Sequence, residues 1–309
     1  MTRRFALLFA LLFAITCTTS PAAAPSPTTT PKASATAAAF PTSVTDFQGR
    51  SVAISKRPER IVSIGPSNTE FLFALGAGDR VVGDDDFSDE PAAATTKEHV
   101  GGVKVNLEKV VSLKPDLIVT VKFSDGTIEA LSQTSAAVLV VDPQGAADVA
   151  RSATLIGQAI GADGAKLAAD IQKQLDAVKA KTDPAAKVKV FHEIDASDPV
   201  RIYTVGPGSF IDDLINLAGG VNVFATARKA YPTVSSEEIV RADPDVIVLG
   251  DSLYGTKIDS IVSRPGWAAL SAVRNTRVYA GLSVFSRPGP RLGEAALEYA
   301  KLVHPELFK

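Results

Sequence analysis

Few side chains in this 309-residue sequence are of types that do chemistry: there are three His, one Cys, one Met and one Trp. His99 and His192 stand beside expected strands in different halves of the chain. With Glu193 or Asp195 they could supply a two-histidine, one-carboxylate metal set, although neither has the short paired spacing of a preformed metal motif. Asp84-Asp85-Asp86 reads as a solvated loop, with a cation contact as the alternative. His304, before Pro305, ends a helix, and Trp267, after Arg264-Pro265-Gly266, reads as a packing anchor. Catalytic signatures break at identifiable positions. Gly250 to Lys257 (GDSLYGTK) resembles a phosphate loop, but Thr256-Lys257 reverses the required order of Lys and Ser/Thr. His192-Glu193 lacks the second His of a zinc protease, and Gly206-Pro207-Gly208 has a Pro where a dinucleotide loop needs backbone donors. No Gly-x-Ser-x-Gly occurs. The expectation is a protein that is not an enzyme and carries no cofactor.

Composition narrows the class further. The chain is 46 % hydrophobic and 21 % charged, as in ordinary globular proteins. The 32 Lys and Arg against 34 Asp and Glu give a net charge of -2, without the basic excess of a nucleic-acid binder. A single Cys excludes an intramolecular disulfide and any multi-cysteine metal site. That Cys lies in an atypical N-terminal stretch. Thr2-Arg3-Arg4 is basic and Phe5 to Thr16 is apolar but for its last residue. Such a segment rises about 18 Å as a helix, short of a hydrocarbon core of about 30 Å, so residues 1–16 read as a secretory signal. Ala14-Ile15-Thr16-Cys17 resembles the lipobox of bacterial lipoproteins, which makes Cys17 the expected lipidation site. The alternative is a chance Cys with cleavage after Ala22-Ala23-Ala24. Of the 24 residues from Thr18 to Pro41, 22 are Ala, Pro, Ser or Thr, the composition of a tether over 17–41. The expected location is outside the cytoplasm, lipid-anchored to the cell membrane or periplasmic.

From residue 42 onward, β-branched apolar runs alternate with helical stretches, as at Ile61 to Ile64, Leu117 to Thr120, Val138 to Val141 and Val246 to Leu249. Runs apolar on both faces indicate parallel sheets covered by helices, an α/β class. The sequence also repeats itself at a spacing of 129: NLEKVVSLKPDLIVT from Asn106 matches SSEEIVRADPDVIVL from Ser235. Glu108/Glu237, Val111/Val240, Pro115/Pro244, Asp116/Asp245 and Val119/Val248 coincide, each copy being an N-cap, a short helix, a Pro-Asp stop and a buried strand. Upstream, Ser67-Asn68-Thr69-Glu70 and Ser209-Phe210-Ile211-Asp212 each open an apolar helix that ends at glycines, with a start like a capping box. Duplicated lobes follow: an N-lobe over 42–147, a helical connector over 148–182 that Gly161-Ala162-Asp163-Gly164 could interrupt, and a C-lobe over 183–309.

Ordered runs along this body carry a family resemblance. RIVSIGPSNTE from Arg60, Asn106-Leu107-Glu108 to Lys114-Pro115-Asp116, Tyr203 to Phe210, Arg264-Pro265-Gly266-Trp267 and Ser286 to Arg291 resemble the ABC-importer substrate-binding proteins for cobalamin and ferric siderophores. The resemblance spans about Val44 to Phe308. It implies two Rossmann-like lobes joined by a long helical connector, with a ligand cleft between them. It implies capture of a bulky metal chelate, cobalamin or a ferric siderophore, and delivery by a monomer to a permease dimer with its ATPase. Glu108 and Glu237 match the family's permease-docking glutamates; an acid in a helix's first turn is also favoured by the helix dipole alone. Cleft candidates on this resemblance are Phe87, Phe123, Tyr203, Tyr231, Tyr254, Phe285, Arg287 and Arg291, aromatic faces for a corrin or aryl surface and guanidiniums for an anionic group. Phe87 and Tyr231 match aromatic positions of cobalamin binders, whereas Gly102 and Val121 stand where those binders carry Trp. A receptor for haem or a bare metal ion using His99 and His192 is the alternative, and an enzyme on the same two-lobed frame ranks behind it.

Overall fold

The computed structural model describes residues 39–309. The expected signal over 1–16, the lipidation site Cys17 and the tether up to residue 38 lie outside the described residues. An antiparallel hairpin, β1 (Thr42–Thr45) with β2 (Ser51–Ile54), opens the described chain. Its turn closes on buried Asp46, whose carboxylate accepts from the backbone N–H of Gln48 and Arg50 and from the Arg50 guanidinium.

The first lobe then alternates β3 (Ile61–Ile64), α1 (Pro66–Ala74), β4 (Val81–Asp84), β5 (Glu98–His99), α2 (Leu107–Ser112), β6 (Leu117–Thr120), α3 (Thr127–Leu131) and β7 (Ala137–Val140). The strands form one parallel sheet in the order β5-β4-β3-β6-β7. Every residue of β3 and β6 is buried, which is why these strands read as unbroken apolar runs rather than alternating ones. The connector is a helical hairpin, α4 (Ala146–Ile160) and α5 (Gly164–Thr182). It breaks at Gly161, whose φ of 72° ends α4 in the left-handed region, and Asp163 caps α5 by accepting from Lys166 N–H at 2.9 Å. The two helices touch at this corner so closely that a Cβ on Gly164 would lie 2.1 Å from the Ala153 carbonyl.

The second lobe runs β8 (Val188–Asp195), β9 (Ile202–Thr204), α6 (Phe210–Leu217), β10 (Gly220–Asn222), β11 (Thr233–Val234), α7 (Ser236–Ala242), β12 (Val246–Leu249), α8 (Ser271–Arg274), β13 (Val278–Ala280) and α9 (Leu292–Val303). Its central strands β10, β8, β12 and β13 are parallel, while β9 returns antiparallel along β8 and carries β11 antiparallel beyond it. One apolar core is continuous from the hairpin and the first sheet, through α4 and α5, to β8, α6 and α9.

The 129-residue repeat has a physical reading. Asn106 and Ser235 are both N-caps, accepting from Lys109 and Glu238 N–H. Lys114 and Asp243, equivalent residues just before the two prolines, share a left-handed backbone with φ of 48° and 44°. The aspartates that follow are strand clamps: Asp116 accepts from the backbone N–H of Glu59 and Arg60, and Asp245 from that of Lys189. Each clamp fixes the start of the repeated strand, β6 or β12, beside the start of its lobe's central strand, β3 or β8. The upstream pair is less alike. Ser209 does cap α6 by accepting from Asp212 N–H, but α1 starts at Gly65 with no side-chain cap. This corrects the expected capping box at Ser67: Asn68, Thr69 and Glu70 are all buried, the Asn68 amide N–H donating to Val141 O, the Thr69 hydroxyl to Ser63 Oγ, and Glu70 accepting from Arg291.

Candidate functional site

Loops leaving the C-terminal ends of β3 and β4 face loops leaving β12 and β13, the place where open α/β sheets hold ligands. Between them lies a cavity of about 530 Å³. Pro66, Ser67, Asp86, Phe87 and Asp89 form the first lobe's wall, and Leu253, Tyr254, Ser283, Ser286 and Arg287 form the second's. A smaller cavity of about 130 Å³ adjoins it, sharing Leu253, Tyr254 and Ser286 and reaching inward to His192 and Phe285.

The first wall is shaped by Asp85. Its side chain is 2 % exposed and accepts from Gly65 N–H at 2.7 Å, Phe87 N–H at 2.9 Å and Ser88 Oγ–H at 2.9 Å. This one carboxylate ties the β3–α1 turn to the loop after β4 and turns Asp86, Phe87 and Asp89 toward the cavity. Asp84 is buried as well, against His99 Nδ1 at 3.1 Å, and burial pushes its carboxyl up to about 6. The expectation of a solvated triple-Asp loop is therefore corrected: only Asp86 is exposed, because the other two sit at the strand end and inside the turn. The Phe87 ring rests against Gly102, where a Cβ would come within 3.1 Å of the ring and of Asp86 Oδ2. A Trp at 102 would displace that ring. Val121 packs more closely still on Gly65, where φ is 110° and a Cβ would lie 2.7 Å from Val121 Cγ1, leaving no room for a side chain.

A charge network crosses between the lobes behind this wall. Glu70 of α1, 4 % exposed, accepts from Arg291 Nε at 2.9 Å and Arg291 Nη2 at 3.0 Å, a two-pronged guanidinium–carboxylate contact. Arg287 Nη1 reaches Glu70 at 3.4 Å and also donates to Asp89, whose carboxyl it holds below the usual range.

The structure brings four of the eight cleft candidates together. Phe87, Tyr254 and Arg287 line the larger cavity, and Phe285 floors the smaller one, stacked at a tilt on Tyr299 with centroids 4.9 Å apart. Arg291 stands behind the wall on Glu70. Phe123 packs on the first lobe's own core, while Tyr203, on β9, and Tyr231, before β11, line neither cavity. Glu70 and Asp89 were not among the candidates, and Asp86 was read only as part of a solvated loop, with a cation contact as the alternative. Glu70 carried a signal: a carboxylate flanked by Phe71, Leu72 and Phe73 in an apolar helix requires a buried cation, and two arginines near the C-terminus were available.

The histidine alternative does not assemble. His192 is enclosed in the second lobe, 3.0 Å by Nδ1 from the Tyr299 hydroxyl, and burial pushes its pKa down to about 3. Glu193 is held by Arg264 at 2.5 and 2.8 Å, and His99 faces Asp84 at the edge of the first sheet. Each potential ligand already has another partner, and among the described residues no group of three His, Cys, Asp or Glu is placed to hold a metal ion. Trp267 is fully buried, edge-on to Phe191, and its Nε1–H donates to Ser236 Oγ at 2.6 Å.

Away from the cleft, Glu108 and Glu237 occupy the same second position of α2 and α7, both exposed and without an ion-pair partner among the described residues. The surroundings of the two differ. In the second lobe, Trp267 and Gly266 cover the α7 face that carries Ser236 and Val240. The equivalent α2 face leaves Leu107 and Val111 exposed.

Comparison with known proteins agrees with this architecture. The sequence profile of the periplasmic binding protein family matches residues 61–283. An ABC transporter substrate-binding lipoprotein of Bacillus subtilis is 35 % identical over 288 residues, covering 90 % of each chain. The crystal structure of the periplasmic vitamin B12 binding protein of Vibrio cholerae superposes with a TM-score of 0.69 at 27 % identity, covering 82 % of this chain and 99 % of that one. The periplasmic heme-binding protein of Roseiflexus sp. RS-1 superposes with a TM-score of 0.71 at 25 % identity, covering 81 % of this chain and 99 % of the other. The repeat, the two sheets, the interlobe cavity and these likenesses together make the chain a member of the periplasmic binding protein family, the solute-binding component of an ABC importer.

Proposed function

We propose that this chain captures a bulky metal chelate of the cobalamin type in the interlobe cleft and hands it to its permease. The observation that carries this reading is the cavity itself, with aromatic surface from Phe87 and Tyr254 on facing walls and hydroxyls from Ser67, Ser283 and Ser286 between them. Stacked aromatic area suits a large planar macrocycle, and scattered hydroxyls suit its rim of amides. The vitamin B12 binding relative of Vibrio cholerae supports the same ligand class. Glu108 and Glu237 serve as docking points for cationic residues of the permease, one per lobe, since both stand exposed on equivalent helix starts. Lipidation at Cys17, with residues 17–41 as a tether, would hold the receptor at the outer face of the membrane, a reading the Bacillus subtilis lipoprotein supports. Haem is the second reading, favoured by the exposed Tyr254 phenol in the cleft and by the heme-binding relative.

The test is spectroscopic. The purified protein, incubated separately with cyanocobalamin, haem and a ferric hydroxamate and then desalted, should retain the cobalamin absorption in a one-to-one ratio, unconverted. Retention of haem alone supports the second reading; retention of none of the three, or conversion of the bound compound, would sink the chelate assignment.

A further inference from the structure

The guanidinium groups of the cleft are already matched by carboxylates. Arg291 holds Glu70 through two hydrogen bonds, and Arg287 holds both Glu70 and Asp89. Asp86, exposed on the same wall, has no cationic partner among the described residues. The charged side chains lining the larger cavity are thus two carboxylates and one guanidinium, and the smaller cavity adds only His192, which burial keeps neutral. Glu70 and Arg291, just behind, contribute one charge of each sign and leave the balance at one negative charge.

Resting on the reading of this cleft as a chelate site, we infer that it selects neutral or cationic chelates and rejects polyanionic ones, with Asp86 and Asp89 setting the preference. A ferric tris-catecholate, with three negative charges, would find no free guanidinium. To receive it, Arg287 would have to leave Asp89 and loosen its hold on Glu70, a carboxylate only 4 % exposed, and a buried charge short of its partner is costly. A cobalamin carries no such charge, and its rim of primary amides offers N–H donors that carboxylates accept. At a separation of about 6 Å and an effective dielectric constant of about 40, each unfavourable pair of unit charges weakens binding about tenfold.

The experiment is a titration of the full chain at low and at moderate salt with cyanocobalamin (neutral), ferrioxamine B (one positive charge) and ferric enterobactin (three negative charges). The expected order places ferric enterobactin at least about tenfold weaker than cyanocobalamin at low salt, with the gap narrowing as salt screens the cleft. In Asp86→Asn and in Asp89→Asn, the second of which releases Arg287 from one of its two carboxylates, the ratio of the two affinities should move toward the anion by about threefold or more. Both side chains are exposed, so a thermal melt close to wild type shows that the fold is kept. Ferric enterobactin binding as tightly as cyanocobalamin, or a ratio unmoved in both variants, overturns the inference. If none of the three probes binds, the chelate reading fails and the charge preference falls with it.

Discussion

Glu70→Ala is the substitution that bears most directly on how the two lobes are held. Glu70 lies on α1 of the first lobe at 4 % exposure, and its partners Arg287 and Arg291 come from the second lobe, more than 200 residues away along the chain. Removing the carboxylate strands two guanidiniums whose side chains are 14 % and 28 % exposed. Breaking a buried pair from one side costs about 3–5 kcal/mol, and because both arginines keep some solvent, the lower end, about 3 kcal/mol, applies here. Arg287 also retains Asp89. For a protein of this size each kcal/mol moves Tm by about 2–4 °C, so Glu70→Ala should melt about 6–12 °C lower. Glu70→Gln preserves the volume and one acceptor and isolates the charge, with an expected loss of about 2 kcal/mol. Adding Arg291→Gln to Glu70→Gln should recover part of that loss, since it removes the stranded cation. Calorimetry gives Tm, and urea titration followed by far-ultraviolet dichroism and by the fluorescence of the single Trp, Trp267 in the second lobe, tells whether the lobes still unfold together. A Tm within about 1 °C of wild type for Glu70→Ala would refute the claim that this network ties the lobes.

Other expectations are independent of that network. His192 has its pKa lowered from 6.5 to about 3 by burial, so the unfolded chain binds a proton the folded one refuses; this contribution is complete above pH 6.5 and lost as pH falls toward 3, about 1.4 kcal/mol per pH unit. Urea midpoints between pH 6.5 and 4.5 should therefore fall less steeply in His192→Gln than in wild type. Trp267→Ala, which empties a fully buried site beside Phe191, should cost about 3–5 kcal/mol in urea unfolding while leaving chelate affinity within about twofold. Glu108→Ala combined with Glu237→Ala should abolish ligand-stimulated ATPase activity of the reconstituted importer at unchanged ligand affinity; loss of affinity would contradict the docking assignment.

Lobe architecture was legible in the sequence where a local cause repeats. The Pro-Asp clamps at 115–116 and 244–245, the N-caps Asn106 and Ser235 and the helix break at Gly161 act through neighbours in the chain, and their residue types announce them. Of the candidate cleft residues, Phe87, Tyr254, Phe285 and Arg287 follow strand ends, a position readable in the sequence, and they line the two cavities. What could not be read was contact across the lobes. The apolar neighbours of Glu70 call for a cation but do not say that Arg287 and Arg291, from the other lobe, supply it, and nothing in Asp84-Asp85-Asp86 distinguishes the strut, Asp85, from the exposed cleft residue, Asp86. The β9 and β11 additions to the second sheet were equally silent, since antiparallel strands of two or three residues carry little periodic signal.

The central claim, that a chelate of the cobalamin type binds between the lobes against Phe87 and Tyr254, is tested most directly by isothermal titration of wild type and of Phe87→Ala/Tyr254→Ala with cyanocobalamin. The predicted result is one site per chain in wild type and a loss of at least about tenfold in affinity in the double variant, with Tm little changed because both rings are largely exposed. Saturable one-to-one binding that is indifferent to both substitutions would contradict the placement of the ligand in this cleft.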